Sequence, residues 1–132
     1  MELNGETLRF IREHCKDDVR SLALQAPKYP GVDMPVALTQ IAGRQAAAEK
    51  IPSWHEEEGV LYPRHLSLEQ CSSEATARYK ASIIPGSSSG TLTDLTGGFG
   101  IDCAFLSPRF HHVTYVERQE VLCEIASHNF PL

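Results

Sequence analysis

A strand, a glycine-rich turn and a helix follow one another over residues 91–108, and this order constrains the fold more than any other feature. The segment TLTDL (91–95) predicts a short strand, and GIDCAFLSP (100–108) predicts a helix with apolar residues on one face. Between them stand Gly97, Gly98 and Gly100. A strand that ends in several glycines indicates that another group comes very close to the backbone.

The same alternation continues to the end of the sequence. HHVTYVE (111–117) is rich in β-branched and aromatic residues and predicts a second strand, and RQEVLCEIASHNF (118–130) predicts a second helix. Two strand–helix units in succession predict parallel strands joined by a right-handed crossover. The chain therefore predicts an α/β protein, with a helical N-terminal domain at 1–85 and the β-α-β-α unit at 86–132.

Residues 1–85 predict helices that are separated by turn signals. Asn4 and Asp33 are candidate N-caps, and the Asp17–Asp18 pair indicates a break between two short helices. Residues 53–65 predict a loop, either throughout or with a short extended piece at Val60-Leu61-Tyr62. A third helix is predicted from the sequence SLEQCSSEATARYKASII, beginning either at a capping box formed by Ser67 and Gln70 or at Ser73, and the sequence PGSSSG predicts a flexible linker after it.

Composition narrows the partners and the location. The net charge is -5 and no basic block is present, so strong nonspecific binding to nucleic acid by this chain alone is not supported. The sequence has no apolar run of membrane-spanning length and no signal peptide, which predicts a cytoplasmic protein without a membrane partner. The four cysteines are widely spaced, which predicts free thiols and no metal site.

Two carboxylates follow the two predicted strands. Asp94 stands near the end of the first strand and Glu117 at the end of the second, so both are expected at the edge where parallel sheets bind ligands. A carboxylate in the position of Glu117 can accept hydrogen bonds from two neighbouring ribose hydroxyls. Together with the glycine turn, this arrangement predicts half of a nucleoside-binding site.

Three kinds of binding site can be compared with this half-site. A phosphate-binding P-loop is excluded because no Gly-Lys-Ser/Thr closes the turn. A nicotinamide or flavin site is disfavoured because Cys103 stands where the third glycine of G-x-G-x-x-G belongs. Another Rossmann-like protein with a nucleoside cofactor therefore stays an alternative to the third candidate, S-adenosylmethionine.

The third candidate rests on a resemblance to known enzymes. LTDLTGGFGID followed by VTYVERQEVLCEIASHNF resembles the first two cofactor motifs of class I S-adenosylmethionine-dependent methyltransferases. The turn has Thr96 in place of the usual first glycine, a form similar to that of bacterial ribosomal-RNA guanine methyltransferases and trimethylguanosine synthase-like enzymes. From LALQAPKYPGVDMP onward, the chain also resembles the N-terminal part of a bacterial methyltransferase family that carries a THUMP-like domain further along.

The resemblance implies S-adenosylmethionine as the cofactor and assigns roles to its neighbours. Asp94 would meet the methionine end, Glu117 the ribose and Arg118 the adenine edge. Ser73 and Thr76 would either touch the methionine carboxylate or simply cap a helix. The full set of residues implied in cofactor binding is Asp94, Thr96, Gly97, Gly98, Phe99, Gly100, Glu117, Arg118, Ser73 and Thr76.

The resemblance also predicts that the chain is incomplete. The sheet of a class I methyltransferase has more strands than the two predicted here. The Asn/Asp-Pro-Pro-aromatic catalytic motif of the relatives that methylate amino groups is also not found, since NFPL at the end does not match it. We therefore expect the truncated N-terminal portion of an enzyme acting on RNA bases, with unknown catalytic residues, weak cofactor binding or none, and no activity alone. Two uncovered strands predict a homodimer or a strand-exchanged oligomer. The alternative is a helical module that docks RNA or a protein without catalysis.

Overall fold

The computed structural model describes residues 2–85 and 90–132. The core of the predicted PGSSSG linker, residues 86–89, lies outside the described residues. In chain order the elements are the helices α1 (Gly5–Glu13), α2 (Val19–Leu24), α3 (Met34–Lys50), α4 (Pro52–Glu56), α5 (His65–Gln70) and α6 (Glu74–Ser82), then β1 (Thr91–Asp94), α7 (Ile101–Leu106), β2 (His112–Tyr115) and α8 (Glu120–Asn129), with 3₁₀ turns at Ala26–Lys28 and Ser107–Arg109.

The two strands form a small parallel sheet, as the sequence predicts. β1 pairs with β2 from Thr91 opposite His112 to Asp94 opposite Tyr115. Backbone pairing continues past the strand ends, because the amide of Val116 donates to the carbonyl of Asp94 at 2.9 Å and the amide of Gly97 donates to the carbonyl of Val116 at 2.9 Å. The glycine turn is thereby held against the end of β2.

The N-terminal helices begin where the sequence predicts. The side chains of Asn4, Asp18 and Asp33 accept hydrogen bonds from the amides of the first turns of α1, α2 and α3. The break between α1 and α2 is therefore confirmed at the Asp17–Asp18 pair, since the second aspartate caps the new helix.

Two local predictions are wrong. The segment 53–65 is not entirely loop, because Pro52 begins the short helix α4. The predicted third helix is divided into α5 and α6, and α5 begins at His65, before the proposed capping box at Ser67. The alternative start at Ser73 is correct, and Ser73 caps α6.

The buried residues form two clusters. The first lies among α1, α2 and α3 and consists of Phe10, Leu22, Met34, Ala37 and Ile41. The second joins the N-terminal helices to the β-α-β-α unit and consists of Ala47, Ile51, Val60, Tyr62, Leu68, Ala77, Phe99, Ile101 and Ile125. The division into domains at residue 85 stays a prediction, and the second cluster shows that residues on both sides of that point share one core.

Two side-chain amides hold the segment at residues 60–62, which lies between α4 and α5 and packs in this second cluster. Gln40 donates to the carbonyl of Tyr62 at 2.9 Å and accepts from its amide at 2.8 Å. Asn129 does the same for Leu61, at 2.8 Å and 2.9 Å. Each side-chain amide makes the two hydrogen bonds that a neighbouring strand would make. The backbone groups of Leu61 and Tyr62 are therefore paired with side chains of α8 and α3, although these two residues lie outside the sheet.

Within residues 2–85 and 90–132, each helix is too short or too polar to cross a lipid bilayer.

Candidate functional site

The turn between β1 and α7 is held by the side chain of Asp94. Its Oδ1 accepts from the amide of Thr96 at 3.0 Å, and its Oδ2 accepts from the thiol of Cys103 at 3.5 Å. Gly98 and Gly100 then adopt positive φ angles of 54° and 93°. A left-handed backbone of this kind favours glycine, because glycine has no Cβ that would clash in this conformation.

The glycines serve packing as well as conformation. A Cβ at Gly97 would overlap the ring of Tyr115, and a Cβ at Gly100 would lie 2.7 Å from the ring of Phe130. The Tyr115 hydroxyl also donates to the carbonyl of Gly98 at 2.5 Å. Gly98 differs from the other two, because the nearest atom to a Cβ there would be 3.8 Å away. Space for a ligand is therefore left at Gly98, whereas Gly97 and Gly100 make room for aromatic rings.

The carboxylate of Glu117 lies directly against this turn. Its Oε2 accepts from the amide of Gly98 at 2.9 Å, and its Oε1 accepts from the amide of Gln119 at 2.9 Å. These backbone hydrogen bonds, that from Gln119 first, hold the pKa of Glu117 below its usual value. The carboxylate is thus ionised at neutral pH, and each oxygen keeps a second lone pair. The predicted proximity of the glycine turn and Glu117 is confirmed.

The amides of the turn are largely used within the protein. Those of Thr96, Gly97, Gly98 and Gly100 all donate to protein oxygens. These four amides therefore hold the turn in shape.

A cavity of about 460 Å³ opens beside the turn. Six of the ten residues implied in cofactor binding border it, namely Thr96, Gly97, Gly98, Phe99, Gly100 and Glu117. The ring of Phe99 is buried and packs edge-on against Trp54, with ring centroids 5.1 Å apart. The part of Phe99 left for the cavity is therefore its backbone.

The other four implied residues lie outside the cavity lining. Asp94 supports the turn, and Arg118 is exposed and does not border the cavity. Ser73 accepts from the amide of Thr76 at 3.1 Å and donates to its hydroxyl at 2.9 Å. The capping alternative for this pair is therefore observed, and a role of any of the four in binding stays a prediction.

Sequence reasoning missed a charged cluster on the same cavity. Lys80 on α6 donates to Asp102 Oδ2 at 3.1 Å and to Ser72 Oγ at 3.0 Å, and Ser72 donates to Asp102 Oδ2 at 3.2 Å. Asp102 Oδ1 is buried and has no hydrogen-bond partner. The one available signal was the position of Asp102 two residues after Gly100; Ser72 and Lys80 come from a distant segment.

No group of three His, Cys, Asp or Glu side chains within the described residues could hold a metal ion.

The comparisons with known proteins give one similarity in structure. No protein-family model matches the sequence, and no curated protein is significantly similar to it. A crystal structure of a protein from Porphyromonas gingivalis W83, described as a candidate methyltransferase, matches with a TM-score of 0.76 and 29% sequence identity. The match covers 95% of this chain and 31% of that one, so the present chain spans about a third of the length of the protein it matches. This α/β chain is therefore similar, in fold and in sequence, to part of a protein described as a candidate methyltransferase.

Proposed function

We propose that this chain is the N-terminal portion of a class I S-adenosylmethionine-dependent methyltransferase and that the cavity beside the glycine turn binds the cofactor. The observation that carries the proposal is the ionised carboxylate of Glu117, fixed at the turn by Gly98 and Gln119 and bordering the cavity. The similarity to the Porphyromonas gingivalis structure supports the reaction class.

The residues present fit a nucleoside. Two hydroxyls on adjacent ribose carbons need two acceptors, and the two oxygens of Glu117 each keep one lone pair for them. The open space at Gly98 allows the ligand to approach the backbone. The cavity volume of about 460 Å³ falls in the range of small-molecule sites.

The chemistry belongs to the cofactor and the positioning to the protein. When bound, S-adenosylmethionine supplies an electrophilic methyl group on its sulfonium. Glu117 would orient the ribose, and Tyr115 would keep the carbonyl of Gly98 in place from behind the turn. The catalytic residues stay unknown, and we expect the 132-residue chain to bind cofactor weakly and to transfer no methyl group.

The acceptor is proposed to be an RNA base, on the strength of the sequence resemblance to RNA guanine methyltransferases. A helical RNA-docking module without catalysis is the second candidate. Arg12 and Arg44 do border one groove of about 530 Å³, but Glu2 and Glu58 border it too, so its charge is balanced. RNA crosslinking to this groove would favour the docking module. A cytoplasmic location stays a prediction.

The test of the cofactor site uses the ribose hydroxyls as the probe. Binding of 5′-methylthioadenosine and of its 2′-deoxy analogue is measured by NMR titration to millimolar concentration. A hydrogen bond to a charged group contributes about 1.5–3 kcal/mol. The wild-type chain should therefore bind the deoxy analogue with an affinity at least about tenfold lower than that for 5′-methylthioadenosine. In Glu117→Ala this preference should disappear, because both acceptors are lost.

Two controls make the result specific. Glu117→Gln keeps one acceptor and should retain part of the preference, and Glu120→Ala removes an exposed acid of α8 and should change nothing. Equal affinities for the two nucleosides in the wild type would exclude Glu117 from ribose binding. Tighter binding of NAD than of S-adenosylhomocysteine would favour the alternative Rossmann-like protein.

We also propose that the isolated chain pairs with a second copy of itself. The described sheet has two strands, so each strand has an unpaired edge. Leu95 and Val116, next to these strands, are exposed by 74% and 42%, and Val121 at the start of α8 by 63%. Light scattering after size exclusion should give the mass of a dimer, whereas a clean monomer with a cooperative melt would refute self-association.

A further inference from the structure

The charged residues of the cavity lie at two separate places. Glu117 lies at Gly98, whereas Lys80 and Asp102 form an ion pair between α6 and α7. Among the described residues bordering the cavity, Lys80 is the one lysine, arginine or histidine. The ribose contact proposed for Glu117 does not involve this ion pair.

The ion pair keeps unused hydrogen-bonding capacity. An ammonium group has three donors, and Lys80 uses two of them, on Asp102 and on Ser72. Asp102 accepts both of its hydrogen bonds at Oδ2, while Oδ1 has none and is shielded from water. A buried carboxylate oxygen without a donor is costly, so a further donor supplied by a ligand would stabilise this arrangement.

A small movement would make the second oxygen of Asp102 available. The terminal torsion of an aspartate is broad and soft, so a partial turn of the carboxylate can bring Oδ1 toward the cavity at little cost. Ser72 holds the pair from the α6 side and limits where Lys80 can point. The cavity therefore presents one cation and one anion side by side, each with room for one more partner.

This pattern matches the free α-amino acid group, which carries a carboxylate and an ammonium on one carbon. The carboxylate would pair with Lys80 and the ammonium with Asp102. A phosphate fits less well, because Lys80, Asp102 and Glu117 together carry a net charge of -1. An uncharged end would leave the pair with no new partner.

We propose that Lys80 and Asp102, held by Ser72, bind the amino-acid end of the nucleoside cofactor whose ribose lies at Glu117. This inference rests on the proposed function and names the far end of the same site. It also moves the methionine end away from Asp94, which supports the turn and does not border the cavity.

The test compares two ligands that differ in the amino-acid end. S-adenosylhomocysteine carries it, and 5′-methylthioadenosine lacks it. Each is titrated by NMR into the wild-type chain, Lys80→Met, Lys80→Arg and Arg78→Met. Arg78 is the matched control, because it lies on the same helix and is also ion-paired, with Glu74 at 3.0 Å, but does not border the cavity.

Lys80→Met should lower the affinity for S-adenosylhomocysteine about tenfold or more. It should lower the affinity for methylthioadenosine by less than about twofold, because only the first ligand loses a charged partner. Lys80→Arg should recover part of the loss, and Arg78→Met should change neither affinity. Retained binding of methylthioadenosine shows that each variant is folded.

The outcomes separate the two proposals. If the wild type binds S-adenosylhomocysteine and Lys80→Met binds it equally well, the ion pair is not the amino-acid site while the cofactor site stands. If both ligands lose affinity together in Lys80→Met, the pair supports the fold instead, and the inference is wrong. If the wild type binds neither ligand at millimolar concentration, the proposal that this cavity binds the cofactor is refuted, and the inference falls with it.

Discussion

Replacing Asn129 by alanine should weaken the attachment of the segment around Leu61 to α8 and lower the stability of the chain. Asn129 is 6% exposed and stands at the end of α8. Its amide makes both backbone hydrogen bonds of Leu61, at 2.9 Å to the amide and 2.8 Å to the carbonyl. The substitution leaves both of these backbone groups without a partner in a partly buried place.

The expected loss follows from those two hydrogen bonds. Each contributes about 0.5–1.5 kcal/mol net, and a buried group left unsatisfied costs about 1–3 kcal/mol. Water reaches part of the site, so we expect a decrease of about 2–4 kcal/mol in the free energy of unfolding. This is a large share of the roughly 5–15 kcal/mol that stabilises a typical domain.

The assay is urea unfolding of the wild type, Asn129→Ala and His128→Ala. His128 is the matched control because it is the preceding residue on α8 and contacts the carbonyl of Gly59 at 2.8 Å, but in an exposed position. Its replacement should cost less than about 1 kcal/mol. If Asn129→Ala is no less stable than His128→Ala, the amide does not hold the segment.

The partner amide on α3 allows a double-mutant cycle. Gln40→Ala should cost about as much as Asn129→Ala, since Gln40 makes the same two hydrogen bonds to Tyr62. Once either amide is lost the segment is free to move, so the double variant should lose less than the sum by at least about 0.5 kcal/mol. Strict additivity would mean that the two amides act on independent parts.

Three further predictions concern the turn and the cavity. Gly97→Ala should cost about 1–3 kcal/mol in urea unfolding because the new methyl group overlaps the Tyr115 ring, whereas Gly5→Ala, where no atom lies within 4 Å, should be close to neutral; equal stabilities would contradict the packing role. Burial, aided by nearby carboxylates, raises the pKa of Cys103 to about 12, so iodoacetamide at pH 8 should label this thiol after denaturation and leave it unlabelled in the native chain, as mass spectrometry would show. The pKa of Glu117 is lowered in the folded chain, so the stability that its carboxylate contributes is present above the ordinary value of 4.5 and is lost as pH falls through the folded value. Because the ribose contact needs the same ionised carboxylate, the affinity for methylthioadenosine should hold from pH 7 to about 5 and fall below 4.5. A loss of affinity already near pH 6 would argue against this residue.

The local elements could be predicted because their signals lie within a few residues. A cap needs one side chain and the amides of the next turn, so Asn4 and Asp33 mark helix starts in the sequence itself, and the Asp17–Asp18 pair marks the break before α2. Alternation of strand and helix implied parallel pairing, and parallel pairing placed Glu117 beside the glycine turn. That half of the site follows from the sequence alone.

The tertiary structure decided what depends on residues far apart in the chain. Gly97 and Gly100 are explained by the rings of Tyr115 and Phe130, which no local pattern connects with them. Lys80 and Asp102 are 22 residues apart in the sequence, and Asn129 reaches a segment 68 residues earlier. The roles of these side chains depend on the space that they fill and on the polar groups that they pair with. Both the space and the polar groups are brought together only when the helices pack.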